Sequence, residues 1–204
     1  MAQYLKDAVQ ARITTGALEV FARRGFRKAT MAEIAAAAGV STGNIYRYYR
    51  NKVSLFDVVV SDEFVSTFTR LLRLRVKAFD GIADAGEPRP GEAYRAASEI
   101  LLAFAIDDRL RLVVLLGRSE GTRLEGFASR IISELQRQAL AYARRRRPAL
   151  KVTPGLRFTL GQIYRNWIGT LVTVLEEFET EAEIREIVDS VSSYHLAGLR
   201  GLLT

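Results

Sequence analysis

The stretch TMAEIAAAAGVSTGNIYRYYRNK, Thr30 to Lys52, decides the fold. Thr30 and Glu33 form T-x-x-E, so the Thr30 hydroxyl can cap a helix starting at Met31 while the Glu33 carboxylate reaches back to the N–H of the cap. The alanines from Ala35 to Ala38 favour helix and add almost no bulk, which lets a second helix approach closely. Gly39 supplies the left-handed residue that ends this helix. Ser41 then caps the next one, with Val40 placed to staple onto Ile45. At about 100° per residue, Ile45 and Tyr49 fall on one side and Gly43, Asn44 and Arg47 on the other, with Thr42, Tyr46 and Tyr48 at the flanks. One face is apolar; the other carries a guanidinium, an amide, a hydroxyl and a glycine, groups suited to base edges and phosphates. This is the grammar of a helix-turn-helix.

The charge distribution points the same way. The 204 residues carry a net charge of +7, and residues 1–52 hold nine basic against three acidic groups, hence six of those seven charges. A positive field concentrated where the motif lies is expected of a module that binds a polyanion. With 49% hydrophobic residues the chain can bury a full core. It has no cysteine, which excludes disulfides, thiolate metal sites and cysteine nucleophiles. The N-terminus has no signal-peptide core, and the apolar run Leu112 to Leu116 is far too short to span a bilayer. The expected location is cytoplasmic, with no membrane partner.

Outward from the motif, every segment reads as helix. Val9, Ile13, Ala17, Val20 and Phe21 repeat at helical spacing, and Gly25 closes that segment. Asn51 is a plausible N-cap for a long helix running to about Phe79. Lys52 falls in its first turn, where the helix dipole disfavours a cation by about 0.3 to 1 kcal/mol and a bound phosphate would reverse that sign. Gly81 to Gly91 is a glycine- and proline-rich loop. Helices are expected from Glu92 to about Ile106, Asp107 to about Gly117 and Thr122 to about Arg147. The basic run Arg144 to Arg147 suits a helix C-terminus, with a second nucleic-acid contact as the alternative. Thr153 and Pro154 open a helix whose apolar residues, from Leu156 to Phe178, step almost as heptads. The last segment repeats this from Ile184 to Leu202.

The expected fold is all-α, with about nine helices. A three-helix helix-turn-helix domain over residues 1–52 is joined to a larger helical domain over residues 53–204, whose effector-binding and dimerisation roles are what a family resemblance implies. The interior glycines of the last two helices each cost up to about 1 kcal/mol relative to alanine, so close helix approach is the expected return. Such a pair is either internal core or meets its own copy across a two-fold axis, and Gly161, Gly169, Leu171, Val191, His195 and Leu199 are the candidate dimer interface. Phe68, Leu101, Phe104, Arg118, Tyr164 and Trp167, large or polar groups on the middle helices, are the candidate effector pocket.

Catalysis finds little support. The single imidazole, His195, lies on an apolar repeat, and Ser193 is too close to it along one helix to act as its nucleophile. Asp107 with Asp108, and Glu176 with Glu177, read as solvated helix ends and not as metal ligands. No cofactor or metal set is expected.

Val40, Ser41, Gly43, Ile45, Tyr46, Tyr48, Tyr49, Lys52 and Leu55 match the pattern V-S-x-G-x-[IL]-Y-x-[HY]-[FY]-x-x-K-x-x-L, and the preceding helix, with Thr30, Ile34, Ala35, Ala38 and Gly39, fits as well. Over about the first fifty-five residues the sequence resembles the TetR family of bacterial transcriptional regulators. The resemblance implies that Thr30, Tyr46, Tyr48 and Lys52 contact phosphates or sugars of a double-stranded DNA operator, and that Thr42, Gly43, Asn44 and Arg47 lie nearest the bases. Tyr48 stands where many members have histidine and keeps a ring and a donor. It further implies a homodimer through the last two helices and a small-molecule effector that releases a repressor from a pseudo-palindromic operator. The alternative is a helical DNA-binding regulator controlled by a protein partner.

Overall fold

A computed structural model describes residues 2–80 and 91–203, so the expected loop from Gly81 lies, as far as residue 90, outside the described residues. All regular structure among them is helical, in the order α1 (Ala2–Lys28), α2 (Met31–Ala38), α3 (Thr42–Tyr46), α4 (Lys52–Val59), α5 (Asp62–Asp80), α6 (Glu92–Asp107), α7 (Arg109–Gly117), α8 (Phe127–Arg146), α9 (Pro154–Glu177) and α10 (Glu181–Leu203). None of these helices is long and apolar enough to cross a membrane. The packing separates into two units. One contains the chain up to Ser66 together with Leu110–Gly126, and the other contains Thr67–Arg109 and the chain from Phe127 onward. α4, the start of α5 and most of α7 thus pack in the same unit as α1 to α3.

In the first unit the local signals act as their chemistry requires. Thr30 Oγ1 accepts from Glu33 N, and Glu33 Oε2 accepts from Thr30 N at 2.9 Å, closing the capping box. The Thr30 hydroxyl also donates to Glu33 Oε2 at 2.9 Å, and this bond first, then the one from the Thr30 backbone N–H, holds the Glu33 carboxyl below its ordinary pKa. Gly39 takes φ 62 and ends α2 with its N–H and that of Val40 returned to Ala36 O and Ala35 O, a left-handed termination that a side chain would strain. The alanine run does allow close approach. Gly16 of α1 lies so near α2 that an added Cβ would stand 2.8 Å from Ala38 N and 3.1 Å from Ala37 C, atoms of backbone that cannot give way. Ile13, Ala17, Val20 and Phe21 are fully buried, and Phe21, Phe26 and Phe56 form a ring cluster with centroids 5.1 to 5.7 Å apart.

The long helix expected from Asn51 is divided, which raises the number of helical segments to ten among the described residues. Asn51 is its N-cap, with a reciprocal pair to Ser54, but α4 ends at Val59. Ser61 then caps α5 by accepting from Phe64 N at 3.2 Å, with Asp62 and Glu63 in the first turn. The carbonyls freed by the break are taken by arginines of the same unit: Arg111 Nε donates to Val59 O and Arg123 Nη2 to Val60 O. Arg123 also pairs with Asp57 and Asp62. Two consecutive turns through Ser119, Thr122 and Glu125 replace the expected start of the next helix, so α8 begins at Phe127.

In the second unit α9 packs on both α8 and α10. The near-heptad stripes of α9 and α10 face inward, with Leu160, Leu175 and Ile184 fully buried.

Candidate nucleic-acid interface and ligand cavity

Ser41 Oγ accepts from Asn44 N and starts α3. The helix ends at Tyr46, earlier than expected, because Arg47 N and Tyr48 N turn to the carbonyls of Asn44 and Ile45, while Tyr49 N still reaches Ile45 O. The expected faces survive this tightening. Ile45 and Tyr49 are buried; Thr42, Gly43, Tyr46 and Arg47 are exposed, and Asn44 and Tyr48 are half-buried. Lys28, Arg47 and Arg50 form no ion pair among the described residues, whereas Arg24 pairs with Glu33 and Arg27 with Glu120.

Two cations of this region serve the fold. Arg12 donates from Nε and Nη2 to Ala38 O and from Nη2 to Gly39 O, holding the end of α2 against α1. Lys52 Nζ donates to Phe26 O at 2.8 Å and Ala29 O at 2.7 Å, approaches Arg27 O at 3.4 Å, and stands 4.6 Å from the centroid of the Phe26 ring. The Lys52 stem carries the ammonium away from the first turn of α4 to the carbonyls at the end of α1, where a cation is favoured. Burial lowers the Lys52 pKa, and the Glu33 charge opposes that. Thr30 is exposed at the start of α2.

The candidate pocket residues do not all meet. In the second unit, one cavity of about 370 Å³ includes Tyr164 and Trp167 in its walls, and a neighbouring one of about 480 Å³ includes Phe68, Leu101 and Trp167. Phe104 lines neither, and Arg118 is in the first unit, where its carbonyl accepts from Phe26 N at 3.0 Å. The cation in the cavity walls is instead Arg75. Its Nε donates to Ser98 Oγ at 3.1 Å and its Nη2 to Tyr94 Oη, and its guanidinium carbon lies 4.9 Å from the Tyr94 ring centroid and 5.5 Å from that of Trp167. Arg75 was legible as the one charged group on the apolar stripe of Phe68, Leu72 and Val76.

The candidate interface residues are also redistributed. His195 and Leu199 are 7% and 5% exposed, and His195 packs on the Tyr164 and Trp167 rings at 5.4 and 5.7 Å, so both stand in the cavity wall. Burial, then the Arg75 charge, holds His195 down to about 4, and burial pushes the Tyr164 hydroxyl up. Gly161 faces Gln136 of α8, 3.6 Å from where a Cβ would lie. Leu171 and Val191 are half-buried beside Trp167 and Val174. On the opposite faces of the two helices, Phe158 and Tyr194 are 68% and 82% exposed. By helical spacing Gly169 shares the face of Phe158, and Gly198 and Gly201 that of Tyr194; a Cβ at any of the three would meet nothing within 4 Å.

Residues 13–59 match the family described as bacterial regulatory proteins, tetR family. The chain is 34% identical over 67 residues to the nucleoid occlusion factor SlmA of Pasteurella multocida, a match covering 33% of this chain and 34% of that protein, so it spans about a third of that relative's length. Two solved structures resemble it over most of their length. A transcriptional regulator from Pseudomonas aeruginosa PAO1 is 19% identical with a TM-score of 0.47, covering 94% of this chain and 90% of that one. NalD, the secondary repressor of the MexAB-OprM multidrug efflux pump in Pseudomonas aeruginosa, is 16% identical with a TM-score of 0.37, covering 91% and 95%.

Two outcomes follow from this geometry. Lys52→Met keeps the stem on the Phe26 ring and deletes the charged donor, so it should destabilise the chain by about 1.5 to 3 kcal/mol, read as a lower urea midpoint; an unchanged midpoint would contradict the clamp. Unfolded His195 takes a proton near its ordinary 6.5 and the folded residue only near 4, so between those values the unfolded chain binds more protons. The stability this residue contributes is complete above about pH 6.5 and is lost as pH falls toward 4, by up to roughly 3 kcal/mol. His195→Gln should flatten the melting temperature across that window relative to the parent chain, and parallel curves would show that His195 titrates normally.

Proposed function

We propose, for a chain whose residues 13–59 belong to the tetR family of bacterial regulatory proteins, a repressor that reads a pseudo-palindromic DNA operator as a homodimer and is released by a small molecule. The observation that carries the DNA half is the polarity of α3: Thr42, Gly43 and Arg47 are exposed while Ile45 and Tyr49 are buried. A short helix anchored from behind and polar in front can enter a major groove, with Arg47, Asn44 and Thr42 nearest base edges. Gly43 allows close approach of backbone to DNA. Thr30, Tyr46 and Tyr48, at the edges of the same face, are assigned to phosphates and sugars. Lys52 is the weakest of the phosphate assignments, since its donors already meet carbonyls, and its role is read as holding the motif together.

The dimer is assigned to the outward faces of α9 and α10. Large exposed rings beside glycines are unusual for a surface that meets only water, and two such helices meeting their own copies would bury Phe158 and Tyr194 in a four-helix interface. A dimer fixes the distance between its two recognition helices. A ligand that binds better to a form with the wrong distance lowers DNA affinity by its differential affinity for the two forms. The cavities of the second unit are of the size that small molecules occupy.

The test is base reading by Arg47. On the duplex most enriched by the full chain from a random pool, Arg47→Ala should cost about 1 to 3 kcal/mol and relax the preference at one base step. An identical sequence preference for both proteins would remove Arg47 from the reading face.

A further inference from the structure

The two cavities of the second unit share Leu72, Arg75, Tyr94, Trp167 and Leu196, so Arg75 stands at their common wall. No carboxylate pairs with it among the described residues; its partners are the neutral hydroxyls of Ser98 and Tyr94 and the faces of two rings. Nη1 makes no bond among the described residues. A guanidinium drawn into a half-buried aromatic slot loses hydration, and hydroxyls return only part of what a carboxylate would.

The walls repeat that bias. Among the described residues the smaller cavity is lined by four cationic side chains, Arg73, Arg75, Lys77 and Arg145, the last of which has a further partner, and no described aspartate or glutamate lines it. His195, the remaining ionisable base there, is held neutral at ordinary pH and so does not repel an apolar group. The larger cavity differs: its acids, Glu99 and Asp189, stand against Arg75 and Arg95, Glu99 is engaged by Arg185 at 2.6 Å, and the rest of its wall is mainly apolar, including Phe68, Leu101 and Ile168. One lobe is cationic, the other predominantly hydrocarbon, and the planar cation sits where they join.

Resting on the effector reading above, we propose that the ligand is an amphipathic carboxylate, whose anionic end docks on Arg75 in the cationic lobe and whose apolar body extends past Trp167 toward Phe68 and Leu101. A positively charged or neutral amphiphile would leave the guanidinium without a counter-charge and would meet the cationic wall at a loss.

The chain contains one tryptophan, Trp167, which contacts both Arg75 and the two cavities, so its emission reports this site alone. The full chain is titrated with decanoate, 1-decanol and decylammonium at neutral pH. Decanoate should bind at least about tenfold more tightly than the other two, and Arg75→Gln should remove that margin, leaving decanoate no tighter than 1-decanol. Arg75→Lys, which keeps the charge and loses the planar stack, should retain part of it and serves if the Gln variant does not fold. Binding of 1-decanol or decylammonium as tight as that of decanoate overturns the carboxylate assignment but leaves the cavity as an effector site. A margin that persists in both variants overturns Arg75 as the anchor. Silence of Trp167 toward all three probes up to millimolar concentration overturns the ligand class and the effector reading together.

Discussion

One ammonium closes the N-terminal unit. The carbonyls of Phe26 and Ala29, at the end of α1 and the turn into α2, converge on Lys52 at the start of α4. From the other side Arg12 of α1 holds the end of α2 through Ala38 O and Gly39 O. The short helices α2, α3 and α4 bury little surface by themselves, and a motif of this size depends on how its helix ends are satisfied. Charged donors on carbonyl clusters do this while leaving the front of α3 untouched. Positive charge therefore has two uses here: Arg12 and Lys52 brace the motif, and Lys28, Arg47 and Arg50 stand outside it without an ion pair among the described residues. Counting nine cations in the first quarter of the sequence does not distinguish these uses; their reach does.

Local chemistry was legible in the sequence. Thr30 with Glu33, Gly39, Ser41 and Asn51 each act within three or four residues of themselves, so their spacing suffices to place α2, α3 and the start of α4. The faces of α3 were legible for the same reason. The break at Val60 was missed because the apolar spacing runs through it. The signal was nevertheless present in Ser61, Asp62 and Glu63, an N-cap followed by an acidic first turn, and the break is completed by Arg111 and Arg123 from far along the chain.

The cavity and the interface show where periodicity stops informing. Spacing established that Leu160, Trp167, His195 and Leu199 share stripes, but a stripe does not say which neighbour covers it; here α9 and α10 cover each other's and α8 adds to the cover. The exposed faces were behind them, marked by Phe158 and Tyr194. Arg118 and Arg75 both adjoin apolar runs in the sequence. What separates them is that Arg75 lies on the buried stripe of α5, among rings, and Arg118 follows the end of α7 in the other packing unit.

The dimer we propose is a symmetric reader whose two copies meet through the outward faces of α9 and α10. The most direct measurement is the symmetry of the duplex sequences enriched by the purified full chain from a random pool, compared with those enriched by a chain carrying Phe158→Arg and Tyr194→Arg. The account predicts an inverted repeat for the parent chain, with half-site centres about 34 to 36 Å apart or at a related spacing, and loss of the repeat in the double variant. A single asymmetric half-site for the parent chain, or the same inverted repeat for both proteins, would contradict it.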